Sequence, residues 1–93
     1  MAIRHLIGKI VSQPVVITGD DMALVMLKIK SDDGYTEMHY QCPVGSFRKG
    51  LAGRFANSQF SAIALSAVGD VVEVEIRGNG EVYSFHNKTQ EER

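Results

Sequence analysis

The 93-residue chain is 44% hydrophobic and 23% charged, and its ten basic and eleven acidic residues give a formal net charge of -1. This length holds one core rather than two domains, and the charge balance excludes a generally basic nucleic-acid glue while leaving room for a local basic stripe. The single cysteine, Cys42, excludes an intrachain disulfide, and the start of the chain has Arg4, His5 and Lys9 but no long apolar run, so the expectation is a soluble cytoplasmic protein without signal peptide or membrane anchor, its thiol buried.

The first β-type region runs from about Ile3 to Thr18. Leu6, Gly8 and Ile10 alternate with Ile7, Lys9 and Val11, so both faces carry apolar groups. Gly8 inside this run suggests a bend or bulge, and Pro14 a kink or an edge. Thr18-Gly19-Asp20-Asp21 reads as a turn. The second strand covers about Met22 to Lys30, with Ala23, Val25, Leu27 and Ile29 on one face at period two and Leu24, Met26, Lys28 and Lys30 on the other. Ser31-Asp32-Asp33-Gly34 is a strong turn signal, and a third strand follows from about Tyr35 to Val44, ended by Pro43-Val44-Gly45.

From Ser46 to about Ala67 the period becomes helical. Phe47, Leu51 and Phe55 lie four apart, and Ala52, Ala56, Phe60, Ile63 and Ala67 continue the spacing, with Ser46 as an N-cap. Gly50 and Gly53 each weaken a helix by about 1 kcal/mol relative to alanine, so the helix is expected to be short, starting late or broken near Asn57-Ser58 and closed by Gly69-Asp70. Val71 to Arg77 is the clearest strand: Val72, Val74 and Ile76 face one way and Val71, Glu73 and Glu75 the other. Gly78-Asn79-Gly80 forms a hairpin turn. Glu81 to Asn87 returns as a fifth strand with Tyr83 and Phe85 on one face, and Lys88 to Arg93 is a polar tail expected to fray.

Three strands, a helix and two further strands in one domain spanning residues 1–93 predict a mostly β protein in which five strands close a barrel and the helix between strands 3 and 4 plugs one end. An open α+β sheet with the helix laid across it is the alternative; the curved first strand with Gly8 favours the barrel.

Several segments, in order, resemble the bacterial single-stranded DNA-binding proteins and their short relatives of the primosomal replication protein type. Leu6-Ile7-Gly8-Lys9-Ile10 followed by Pro14-Val15 resembles that family's opening strand, and Ala23 to Ile29 its alternating second strand. Thr36-Glu37-Met38-His39 resembles its threonine-glutamate-tryptophan-histidine segment, and Gly69-Asp70-Val71-Val72-Glu73-Val74 its glycine-led fourth strand. The resemblance covers about residues 3 to 77 and implies an OB-fold, a five-stranded Greek-key barrel, that binds single-stranded nucleic acid. The departures are specific. The chain has no tryptophan, Met38 stands at the tryptophan position and Val44 at a phenylalanine position, and the family's glycine-rich linker and acidic tip have no counterpart before Arg93. These departures fit an accessory protein of replication, recombination or repair better than a general coating protein.

Single-strand binding requires cations along a backbone track and flat groups on which bases stack. Lys28 and Lys30 on the outward face of the second strand supply charge, with Lys9 and Arg77 on neighbouring strands. Met38 and Tyr40 share one face of the third strand, and Tyr83 lies on the fifth, while Phe85 is assigned to the core. Tyr40 and Tyr83 are the better stacking candidates, because a hydroxyl tolerates exposure. Glu73 and Glu75 would repel phosphates on a binding face and must lie at its rim. The expected partner is single-stranded DNA, with RNA as the alternative, together with replication or recombination proteins and a second copy of the chain in a homodimer or homotetramer.

Support for catalysis is thin. His5, His39 and His86 are scattered without metal-ligand spacing, and Asp20-Asp21 and Asp32-Asp33 are turn residues. Gly78-Asn79-Gly80 precedes a strand rather than a helix and so is no phosphate loop. No cofactor and no enzyme activity are expected. A competing reading is a protein-interaction module, because Phe47, Phe55 and Phe60 exceed what a core of this size must hold and leave an apolar patch.

Overall fold

Alternate burial along extended segments organises a computed structural model that describes residues 2–43 and 58–91. In chain order these residues form β1 (Ile3–Ile10), β2 (Val15–Thr18), β3 (Met22–Ser31), β4 (Gly34–Pro43), α1 (Ser58–Ala64), β5 (Val71–Arg77), β6 (Val82–Asn87) and α2 (Lys88–Glu91). The expectations placed on Ser46, Phe47, Gly50, Leu51, Ala52, Gly53, Phe55 and Ala56, and on Val44, lie outside the described residues. Among the described residues no helix is long and apolar enough to cross a membrane.

The strands make one curled antiparallel sheet shaped as a half-barrel. β3 is its hub. Along one edge it pairs first with β2, Ala23–Met26 opposite Thr18–Val15, and then with the end of β1 through Ile10↔Ile29 and Lys9↔Lys30. Along the other edge it pairs with β4 over its full length. β1 continues the sheet to β5, and β5 to β6. The outer strands approach at one point, a parallel bridge between His39 and Glu81 in which the His39 N–H donates to the Gly80 carbonyl at 3.1 Å.

The first predicted β region is thus two strands, split between Val11 and Pro14. The Val11 N–H still donates to the Lys28 carbonyl at 3.0 Å, and the Lys28 N–H turns to the Ser12 Oγ at 3.0 Å. At this corner the Ser12 hydroxyl, in place of a backbone carbonyl, accepts the Lys28 N–H, and Pro14, which has no N–H, cannot donate to the ladder. Gly8 lies in unbroken register opposite Val72 rather than in a bulge. Its role is close approach: a Cβ there would sit 2.6 Å from the Lys30 carbonyl oxygen, where β3 crosses onto β1.

Period-two burial fills the concave side with Leu6 and Ile10 of β1, Ala23, Val25, Leu27 and Ile29 of β3, Met38 and Cys42 of β4, and Val72, Val74 and Ile76 of β5. Phe60 and Ile63 of α1 enter the same core, the helix packing on β6, β3 and β4. Tyr83 and Phe85 do not share a face as expected. Ile76 pairs with Val82 and Glu75 with Ser84, so Tyr83 is an extra residue in a β-bulge. The bulge turns Tyr83 outward and Phe85 inward.

The tail after Asn87, expected to fray, forms α2 through Glu91 and is hydrogen-bonded to the body of the fold. Asn87 is buried and donates from Nδ2 to Ser66 Oγ at 2.9 Å and to Asp70 Oδ2 at 3.0 Å, while its Oδ1 accepts the Gln90 N–H at 2.9 Å as a helix cap. The Val71 N–H donates to Thr89 Oγ1 at 2.8 Å. These bonds tie the end of the chain to the start of β5.

Candidate nucleic-acid interface

The convex wall of the sheet is set by the β3–β4 hairpin. In antiparallel pairing, directly opposed residues share a face. The register therefore places Met26 beside His39, Lys28 beside Glu37 and Lys30 beside Tyr35 on the outer wall. β2 adds Val15 next to Met26, and β1 adds Lys9 next to Lys30. Successive rows lie about 7 Å apart along β3. They run from an apolar row (Val15, Met26, His39) through an ion-paired row (Lys28, Glu37) to a cationic and aromatic row (Lys9, Lys30, Tyr35).

The first two rows floor a groove of about 580 Å³. Ser12 and Gln13 of the β1–β2 corner flank it on one side and Asn79 of the β5–β6 hairpin on the other. Gly80 has positive φ (89°), and a Cβ there would lie 3.4 Å from the Glu37 carbonyl oxygen. Glycine thus lets the hairpin close onto β4 and bring Asn79 to the groove. Lys28 Nζ lies 3.6 Å from Glu37 Oε1, both groups substantially exposed, so the pair is weak and easily exchanged for another anion. Lys30 Nζ stands 5.6 Å from the centre of the Tyr35 ring, which is 67% exposed. Among the described residues Lys9 and Lys30 have no carboxylate partner.

Of the expected site residues, Lys9, Lys28 and Lys30 come together on this wall. Met38 lines the groove from below, but at 2% exposure its side chain is core and no base can stack on it. Tyr40, two residues along the same face, is likewise directed inward and packs half-buried against the core. Arg77 and Tyr83 form a separate pair on the β5–β6 hairpin, the guanidinium 5.4 Å from the ring centre and 3.1 Å from Glu81 Oε1. That hairpin meets the first wall at the His39–Glu81 bridge.

Sequence reasoning left out Tyr35, Val15, Met26, His39 and Asn79. The signal for Tyr35 was present: a hairpin turning on Ser31–Gly34 sets Lys30 opposite Tyr35.

Glu73 and Glu75 face outward from β5, on the far side of β1 from the groove. Glu73 is held by His5, whose Nε2 lies 2.5 Å from Oε2, and by Lys88 at 3.1 Å from Oε1. The His5 hydrogen bond first, and Lys88 second, lower its carboxyl pKa below the ordinary value. Ser84 donates to Glu75 at 3.1 Å. Burial pushes the Cys42 thiol up, as befits an inert core cysteine. Among the described residues no cluster of three or more histidine, cysteine or acidic side chains could hold a metal ion.

No family model and no curated protein matches the sequence. Among solved structures, the chain is similar to a crystal structure of the ZRD-deleted mutant of TiaS in complex with agmatine, with a TM-score of 0.56 and 23% identity. The match covers 86% of this chain and 19% of that one, so this chain spans about a fifth of the structure it matches. At that identity the likeness speaks to the fold alone.

Proposed function

We propose that this chain is a single-stranded nucleic-acid-binding protein, with DNA as its ligand, accessory to replication, recombination or repair. The observation that carries the reading is the convex β3–β4 wall. Three lysines converge there from two strands, an exposed tyrosine stands beside Lys30, and an apolar-floored groove continues the track. An extended polyanion lays its phosphates along Lys9, Lys30 and Lys28, stacks a base on Tyr35 and places another over Val15, Met26 and the His39 ring. Carboxylates on β5 stand beyond this track, and Glu37 gives up Lys28 to an incoming phosphate.

Within this proposal the half-barrel is an OB-fold of five strands. β1 and β2 are one bent opening strand, α1 sits between the third and fourth strands, and the His39–Glu81 bridge marks the closing seam. The resemblance to single-stranded DNA-binding proteins and the wall both support this ligand class. The absence of tryptophan points to moderate affinity.

Fluorescence anisotropy with labelled oligonucleotides at low salt tests the proposal. Three phosphate contacts give a slope of log K against log salt of about −2. No binding of DNA or RNA single strands at tens of micromolar protein would remove it. A protein-interaction module is the second reading, favoured by the uncharged apolar strand β2. Under that reading, binding to oligonucleotides is absent at every salt concentration.

A further inference from the structure

The three histidines of the chain stand in different electrostatic surroundings. His5 and His86 lie on the outer wall of β1, β5 and β6, and each faces a carboxylate: Glu73 for His5, and Glu91, 3.6 Å from His86 Nδ1. His39 lines the groove of the β3–β4 wall instead. Its ring rests against the β5–β6 hairpin, where a Cβ on Gly80 would lie 3.7 Å from Nδ1 and 3.8 Å from Cε1. The close approach of that hairpin therefore holds the ring beside the track.

The charged groups around His39 are paired with one another. Lys28 and Glu37 form the next row, about 7 Å along the strands, and their charged ends lie 3.6 Å apart. Across the bridge to the hairpin, Glu81 is held by Arg77 at 3.1 Å. β3 and β2 face the ring with uncharged Met26 and Val15, and the hairpin faces it with Asn79 and Gly80. Among the described residues no carboxylate pairs with His39. A neutral His39 thus adds a flat ring to the track, and a protonated one adds a cation whose counter-charge must come from outside the fold.

We propose that His39 is a proton-controlled contact: once protonated it becomes the fourth cation of the single-strand track, so the chain binds nucleic acid more tightly as pH falls from about 8 to about 5.5. The inference rests on the nucleic-acid reading of this wall and adds its regulation. Histidine is the ordinary side chain whose charge changes in this range. A positive ring strengthens both contacts open to it, the cation–π contact with a base laid on its face and the attraction of the adjoining phosphate. The sign follows from linkage. A polyanion favours the charged imidazole, so binding takes up a proton and lower pH favours binding. Charging His5 and His86 has no such effect, because each new charge falls against a carboxylate already facing it, on a wall away from the groove.

Fluorescence anisotropy with a labelled single-stranded oligonucleotide, run as a salt series at about pH 5.5 and about pH 8, tests the proposal. Wild-type affinity at low salt is expected to be about ten-fold higher at the lower pH. The slope of log K against log salt is expected to steepen from about −2 to about −3, the increment of one phosphate contact. His39→Gln should give the same slope at both pH values, and His39→Lys the steeper slope at both. The double variant His5→Gln with His86→Gln should keep the wild-type response. Circular dichroism at each pH checks that the variants are folded. Wild-type binding that is equal at the two pH values, or a pH response that survives His39→Gln, overturns this inference and leaves the nucleic-acid reading standing; no binding at either pH removes that reading as well.

Discussion

Replacing Gly8 by alanine tests how the sheet is bent around its core. At an unconstrained site, Gly→Ala stabilises a protein by about 0.4–1 kcal/mol, because the unfolded chain loses freedom. Gly8 is constrained. The new Cβ would lie 2.6 Å from the Lys30 carbonyl oxygen and 3.2 Å from Cδ1 of Ile29. The nearer neighbour is backbone and cannot rotate away, so β1 and β3 must separate by several tenths of an ångström where Lys9 meets Lys30. Overpacking of this kind costs about 1–3 kcal/mol. Set against the entropic gain, a net loss of about 1–2 kcal/mol remains, which lowers Tm by roughly 4–15 °C in a domain of this size. Urea unfolding followed by circular dichroism should show a lower midpoint with an unchanged slope. Gly78→Ala is the control: a Cβ there meets nothing within 4 Å, and stability should stay level or rise by up to about 1 kcal/mol. A Gly8→Ala protein as stable as wild type would refute the close crossing and the bend built on it.

Three further outcomes follow from the same contacts. Asn87→Ala removes the donor shared by buried Ser66 and Asp70 and the cap of α2, and should cost about 2–4 kcal/mol in urea unfolding. Glu73 is a carboxylate whose pKa is depressed in the folded state. Its contribution is therefore complete above the unfolded-state value, near 4.5, and fades as pH falls through the lower folded-state value; Glu73→Gln should flatten the acid-unfolding curve below pH 4.5, and an unchanged curve would remove the role given to His5 and Lys88. Cys42, buried and with a raised pKa, should react with a thiol reagent only after urea is added, so fast labelling of the native protein would contradict its place in the core.

Much of the sheet was legible because one face is buried and the other wet. Val72, Val74 and Ile76 on β5, and Ala23, Val25, Leu27 and Ile29 on β3, alternate cleanly, and the core takes these seven side chains. Tyr83 was misread because a single inserted residue reverses every side chain beyond it, and Val-Tyr-Ser-Phe carries no glycine or proline to announce a bulge. Met38 was placed on the binding face through its match to a tryptophan position, although the hairpin already decided otherwise. With Lys28 and Lys30 outward, their partners Glu37 and Tyr35 are outward too, and Met38 and Tyr40 must turn in. The tail read as polar and loose because its anchors are hydrogen bonds from Asn87, Thr89 and Gln90, which leave no hydrophobic pattern. The groove depends on the approach of the Gly78–Gly80 hairpin to β4, a contact between residues some forty positions apart that no local periodicity reports.

The most direct test of the binding wall is nuclear magnetic resonance mapping of the labelled protein titrated with an unlabelled single-stranded oligonucleotide at low salt. Amide shifts should concentrate on Val15, Met26, Lys28, Lys30, Tyr35 and His39 and spare Glu73 and Glu75. A spectrum that does not move at saturating oligonucleotide, or that moves on the β5 wall instead, would contradict the account.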